Sequence, residues 1–190
     1  MKYSDQSAGI MKGTITKCLS EWVTAKFGAD RWNEILLKGN AAEQSLILTM
    51  AVADIDDAVA VSLFGATGRV LGISGQAVAD GFGEYWCCEY APALYASIMR
   101  RFSTAREMLV GLDHVHVQVT AMMTNARPPR FDYKWENPRV LIVTYKSHRD
   151  LLPLYLGLAR GVGKYFNEPL DVRTVGANLV RIEFLQAAVA

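Results

Sequence analysis

Two adjacent prolines, Pro128-Pro129, divide the chain into stretches of different texture. Before them, hydrophobic residues recur every three or four positions, the spacing of one face of a helix. After them, hydrophobic residues alternate with polar ones in short runs bounded by turn residues, the spacing of strands. Helices followed by strands point to an α+β fold and away from a doubly wound parallel sheet, in which the two would alternate. Neither a G-x-G-x-x-G nor a P-loop is present to argue otherwise.

The helical part reads as a series of segments. Ile15, Leu19, Trp22, Val23 and Phe27 lie on one face of a helix running from Met11 to Gly28. RWNEILLK (31–38) is a second helix closed by Gly39, and the apolar stretch 41–53 has no clear period. Asp54 can cap a helix through Leu71, and Ser74 another through AVADGFGEYWCCEY. The short LYASIMRRF follows Pro92. Past the prolines, RFDYKWE and RVLIVTYKS form a hairpin at Asn137-Pro138, and LDVRTV and NLVRIEF a second at Gly176-Ala177. Between the hairpins, LLPLYLGLARGVGKYF is a helix with Pro153 in its first turn, where proline is tolerated. The expected architecture is mainly helical, then a four-stranded antiparallel sheet with one late helix.

The stretch just before the prolines, HVHVQVT (114–120), is ambiguous by itself. Its alternation suits a strand, with His114 and His116 on one face, where they could share a zinc ion. The preceding residues point to a helix instead. Thr104 and Glu107 form a T-x-x-E capping box, which starts a helix. Counting on, Leu109, Leu112, His116, Val119 and Met123 fall at intervals of three and four, with Met108, Val115 and Met122 completing an apolar stripe. The expected helix runs from 105 to 123 and ends at Asn125. His116 lies within the stripe, and His114 and Gln118 lie on the polar side.

Composition narrows the classes of function. With 20 basic and 19 acidic residues, the chain offers no electrostatic footprint for nucleic acid or an anionic membrane. No apolar run reaches bilayer-spanning length, and the polar start MKYSDQSAG lacks a secretory signal. Three cysteines, Cys18, Cys87 and Cys88, lack paired ligand spacing and suit reduced thiols in a cytoplasm. We expect a polar extension at 1–10 and a single domain at 11–190.

Two groups of residues carry chemistry. His116, on an apolar helix face, is either a core histidine with a hydrogen-bond partner or an axial ligand to a metal in an apolar pocket, as haem iron is held. In TYKSHR (144–149), strand alternation puts Tyr145, Ser147 and Arg149 on one face. A phenol, a hydroxyl and a guanidinium in a row suit a carboxylate or phosphate, or form an ordinary polar strand face.

Taken together, these segments resemble the H-NOX domains, the haem nitric oxide/oxygen-binding family that includes the haem domain of soluble guanylate cyclase. MKGTI (11–15) is similar to the family's start, LDHVHVQVT to the segment of its proximal histidine, ARPPR to that of a proline pressing on the porphyrin, and Tyr145, Ser147 and Arg149 to its Y-x-S-x-R motif. FGEYW (82–86) and LGL (156–158) are also similar to family segments, so the resemblance runs from Met11 to about Phe184. It implies haem b, with His116 on the iron, Tyr145, Ser147 and Arg149 on the propionates, and Pro129 and Ile15 against the porphyrin. Members that hold oxygen use a distal tyrosine with a supporting tryptophan and asparagine; the matching positions here are Leu154, Leu19 and Val78, with Trp86 near the same wall. A hydrocarbon wall favours nitric oxide and carbon monoxide over oxygen. The resemblance thus implies a gas sensor acting on a separate histidine kinase or cyclic-di-GMP enzyme. Its rivals are an oxygen sensor, a haem enzyme acting on peroxide or nitrite, which needs a distal His or Arg, and an adaptor with an empty pocket.

Overall fold

The computed structural model describes residues 9–121, 123–149 and 151–185. The fold is α+β. Its internal contacts separate two compact units, one comprising residues up to Ile73 with Asn125–Arg127, the other Ser74–Thr124 with the chain from Pro128 onward.

The first unit holds strand β1 (Ile10–Lys12), helices α1 (Thr14–Phe27) and α2 (Ala29–Lys38), strand β2 (Asp54–Asp56) and helix α3 (Asp57–Leu71). Contrary to the helix expected from Met11, Met11 lies in β1, paired with Ile55 in an antiparallel ribbon. Gly13 makes the turn into α1. A Cβ there would sit 2.2 Å from the Met50 carbonyl oxygen, so only glycine lets the chain pass. Asp54, expected to cap a helix, is a strand residue paired with Lys12 across the ribbon. The cap is Asp56, whose carboxylate accepts from the Ala58 amide at 2.8 Å. Stretch 41–53 forms two short 3-10 turns that bury Leu48.

The second unit begins with helix α4 (Gly75–Tyr85), capped by Ser74 as expected. A π turn at Trp86–Tyr90 follows, just ahead of Pro92, whose ring nitrogen cannot donate to the preceding turn. Two short helices, α5 (Ala91–Leu94) and α6 (Ala96–Met99), lead to helix α7 (Ala105–Thr120). Strands β3 (Arg130–Asn137) and β4 (Val140–Lys146), helix α8 (Leu152–Tyr165), and strands β5 (Leu170–Thr174) and β6 (Leu179–Phe184) complete it. The sheet is antiparallel in the order β3-β4-β6-β5. Its core is Leu109 of α7, Phe131, Leu141 and Val143 of the first hairpin, Tyr155 of α8, and Val180 and Ile182 of β6.

Helix α7 starts where its capping box predicts. Thr104 Oγ1 accepts from the Glu107 amide at 3.1 Å, and the Glu107 carboxylate reaches back to the Ser103 amide at 2.7 Å. It ends at Thr120, three residues short of the expected 123. Val115, Val117, Val119 and Thr120 are β-branched and restrict helical rotamers, so the last turn is weak. Asn125 takes a left-handed conformation at φ 64°, and Met122 lies outside the described residues.

Candidate functional site: a histidine bonded to the proline segment

His116 projects from the half-buried side of α7, whereas His114 is exposed. The helix thus turns the two imidazoles to different sides and removes the zinc arrangement of a strand. His116 Nδ1 lies 3.2 Å from the Pro129 carbonyl oxygen. Because a carbonyl only accepts, Nδ1 is the donor and Nε2 keeps its lone pair, the tautomer of a metal-ligating histidine whose second nitrogen is anchored. Burial holds the His116 pKa below its ordinary value, against the opposing pull of the Pro129 bond and the Asp113 charge. The ring is therefore neutral and able to ligate near neutral pH. Its centroid is 5.6 Å from that of Phe131, the residue two beyond Pro129.

Sequence reasoning missed what fixes this arrangement. Asp113, one turn before His116, accepts from Arg130 through Nε at 2.7 Å and Nη2 at 2.6 Å, and from the Phe131 amide at 2.9 Å. The Asp113 amide in turn donates to Tyr133 Oη at 3.2 Å. The hydrogen bond and charge of Arg130, with the Phe131 amide, bring the Asp113 pKa down to about 2. One signal was available: Phe131 and Tyr133 alternate in RFDY and so share a strand face, while Asp113 and His116 share a helix face.

Tyr145 is buried in β4 opposite Phe131, its ring 5.9 Å from Phe131 and 5.8 Å from Tyr155. Ser147 and Arg149 do not continue the strand, because β4 stops at Lys146. The chain bends, and Ser147 Oγ accepts from the Arg149 amide at 3.2 Å. The in-and-out pattern nevertheless survives the bend: Tyr145 is buried, Ser147 and Arg149 are half-buried, and Lys146 and His148 are exposed. Tyr155 packs 4.9 Å from Phe131, and its buried hydroxyl has no hydrogen-bond partner among the described residues. Burial raises its pKa far above the phenol range.

Of the residues matched to the distal side, Val78 on α4 and Leu154 on α8 are both buried. The two helices touch backbone to backbone: a Cβ on Gly157 would lie 2.0 Å from the Ala79 carbonyl oxygen, and one on Gly83 2.2 Å from the Gly157 backbone. Trp86 is half-buried in the π turn, its ring between Phe82 at 5.8 Å and Tyr90 at 5.2 Å. Ile15 and Leu19 belong to α1 of the first unit, Ile15 half-buried and Leu19 fully buried.

The donor set suits haem. One neutral imidazole with a free Nε2 can take an iron. A buried phenol, a hydroxyl and a guanidinium follow in order along one segment and can hold carboxylates. Among the described residues no group of three or more His, Cys, Asp and Glu side chains could hold a metal ion. No single described helix is long and apolar enough to cross a membrane.

The comparisons with known proteins agree on one fold. An H-NOX protein from S. oneidensis in the Fe(II)NO ligation state superposes with a TM-score of 0.81 at 20% identity, over 93% of this chain and 100% of that one. The Fe(II) unliganded H-NOX protein from K. algicida gives 0.79 at 19% identity, over 93% and 98%. A Cs H-NOX variant carrying 4-cyano-L-phenylalanine gives 0.80 at 24% identity, over 93% and 97%. No curated protein sequence matches. The family model described as Haem-NO-binding matches residues 12–174, and the chain therefore belongs to the H-NOX, or haem-NO-binding, family.

Proposed function

We propose that this chain is a haem-based sensor of nitric oxide. In this reading residues 11–190 form one domain, a reading supported by a family match that runs unbroken from 12 to 174. His116 ligates the iron of haem b through Nε2. Arg149, Ser147 and Tyr145 hold the propionates, so that the two anionic groups are not left unpaired at a poorly solvated edge. Pro129 and Ile15 press on the porphyrin, a role supported by their family positions. The observation that carries the reading is the His116 Nδ1–Pro129 carbonyl bond, which fixes the ligating tautomer in a chain of the haem-NO-binding family.

When bound, haem supplies a ferrous iron with one open position for a diatomic gas. The positions matched to the family's gas-facing wall are Leu19, Val78 and Leu154, three hydrocarbon side chains without a donor. Oxygen held at such an iron would take on negative charge and call for a hydrogen-bond donor; nitric oxide and carbon monoxide would not. The wall therefore selects the latter two. Trp86 alone in the set carries an N–H, and an oxygen-sensing role would rest on it.

The chain acts as a sensor and not as an enzyme, since the matched wall carries no His or Arg to move protons. Its output goes to a separate protein of the histidine kinase or cyclic-di-GMP enzyme class in the cytoplasm. Addition of haemin, reduction, and exposure to carbon monoxide tests the reading. A Soret band that sharpens on reduction and shifts with carbon monoxide is expected. A protein that stays colourless with haemin supplied would overturn it and favour an adaptor with an empty pocket.

A further inference from the structure

We propose that this chain binds a second copy of itself head to tail: the exposed apolar loop between α2 and β2 of one copy seats in a groove beside the start of α7 on the other.

The loop carries an apolar patch in water. Its two 3-10 turns, Ala42–Gln44 and Ile47–Thr49, bury Leu48 and leave Leu46, Ile47, Met50 and Val52 exposed, Leu46 and Val52 each by 78%. Single exposed hydrophobic residues are ordinary, but a cluster in one short loop marks an interaction site. The charge around the patch has one sign. From Gly39 to Gly68 the sequence holds Glu43, Asp54, Asp56 and Asp57 and no lysine or arginine. Lys12 pairs with Asp54 across the ribbon and leaves the stretch acidic.

The groove has the opposite character. It holds about 690 Å³ between the start of α7 and Trp135 of β3, with Phe102 and Val110 among its walls. A Cβ on Gly111 would stand 2.7 Å from the Phe102 ring, so the glycine lets that ring lie against the helix. Trp135 and Val110 are both exposed. The rim is basic. Arg101 and Arg106 line it, and Arg100 is exposed next to Arg101. The Arg106 guanidinium stacks 4.5 Å over Trp135 and donates to the carbonyl of Pro138, the residue before the exposed Arg139. The one lining carboxylate, Glu107, is engaged by the Ser103 amide in the capping box.

An aliphatic centre with an acidic border thus exists on the same chain as an aromatic groove with a basic border. The two surfaces complement each other in apolar character and in charge. Pairing like with like would set arginine against arginine or carboxylate against carboxylate. The contact is therefore heterologous, one copy's loop in the next copy's groove, and not a two-fold pair. The acidic border also turns the loop away from an anionic membrane.

Sedimentation velocity of the full chain, over a range of concentrations in low salt, tests the contact. The mass should rise above one chain as the protein is concentrated and return to one chain in high salt, which screens the charged borders. Arg101→Glu in the groove and Val52→Lys in the loop should each abolish the rise. An equimolar mixture of the two variants should regain a mass of two chains and no more, because one intact groove then meets one intact loop and neither remaining end can extend. Val110→Asp and Leu46→Lys take their places if either variant fails to fold by circular dichroism. A wild type that stays a single chain at every concentration overturns the proposal. Association that survives both substitutions, or that the mixture fails to restore, overturns it as well.

Discussion

The second unit has two flanks built on opposite chemistry. Along α7 and β3, direction is set by named polar atoms: the Pro129 carbonyl aims His116, and Arg130, the Phe131 amide and Tyr133 hold Asp113. Along α4 and α8, the ion pairs Arg160–Asp80 and Lys164–Glu84 stand partly exposed, and the buried contact is of another kind. Glycines bring two backbones into contact, and the buried side chains Val78 and Leu154 are hydrocarbon. The first flank suits holding a charged, polar-edged cofactor in one orientation. The second suits keeping a wall dry and close. In the reading proposed here, cofactor retention lives on the first flank and gas selectivity on the second, so the two properties should fail separately.

The largest expected effect is on the first flank. His116→Gly should purify without haem unless imidazole is supplied to fill the space of the lost ring, while His114→Ala, altering an exposed side chain, should keep a normal Soret band. The reverse pattern would mean that the wrong histidine has been placed on the inner side.

The α4–α8 contact gives the next largest effect, on stability instead of haem. In Gly157→Ala the new methyl would meet the Ala79 carbonyl at 2.0 Å, and backbone has no rotamer by which to yield. Overpacking of this kind costs about 1–3 kcal/mol, read as a lower urea midpoint at an unchanged slope. An unaltered midpoint would show that the helices separate easily and that the dry wall is not rigid.

On the first flank again, Arg149→Ala should release haem to apomyoglobin faster than Ser147→Ala. Both side chains would meet an anionic carboxylate, but only the guanidinium adds a full charge of its own and a bidentate fork. Equal release from both variants and the wild type would remove this segment from the propionates.

The smallest effect is a pH limb. The His116 pKa lies below its ordinary 6.5 in the folded chain, so below pH 6.5 the unfolded chain takes up the proton first. Stability of the haem-free protein should be complete above pH 6.5 and should decline as pH falls through the lower folded value. Asp113, with a pKa lowered to about 2 from 3.8, begins to lose its contribution only below 3.8, so the two limbs separate. His116→Gln should flatten the upper limb; a limb that persists would assign it to another group.

How much of this was legible in the sequence depended on the range of each interaction. The start of α7 was readable because a capping box spans only four residues, Thr104 to Glu107. Its end was misjudged because the apolar spacing continues to Met123 while the β-branched run weakens the last turn. Asp54 and Asp56 are both plausible caps locally, and only the pairing of Asp54 with Lys12, distant in sequence, decides for Asp56. The order Tyr145, Ser147, Arg149 was visible, but not the bend that replaces the strand after Lys146. The faces that carry Asp113 and Tyr133 were readable locally, but not the Asp113–Arg130–Tyr133 ties themselves, which join residues 17 and 20 apart.

The central claim is that the wall matched to Leu19, Val78 and Leu154 offers no donor to a bound gas. The protein should be reduced without air, divided, and exposed in one portion to air and in the other to nitric oxide. The ferrous spectrum should persist in air, apart from slow oxidation, and nitric oxide should convert it at once to that of a complex that has lost its histidine. A stable oxygenated spectrum in air would contradict the account, direct attention to the Trp86 indole as a donor, and make this chain an oxygen sensor.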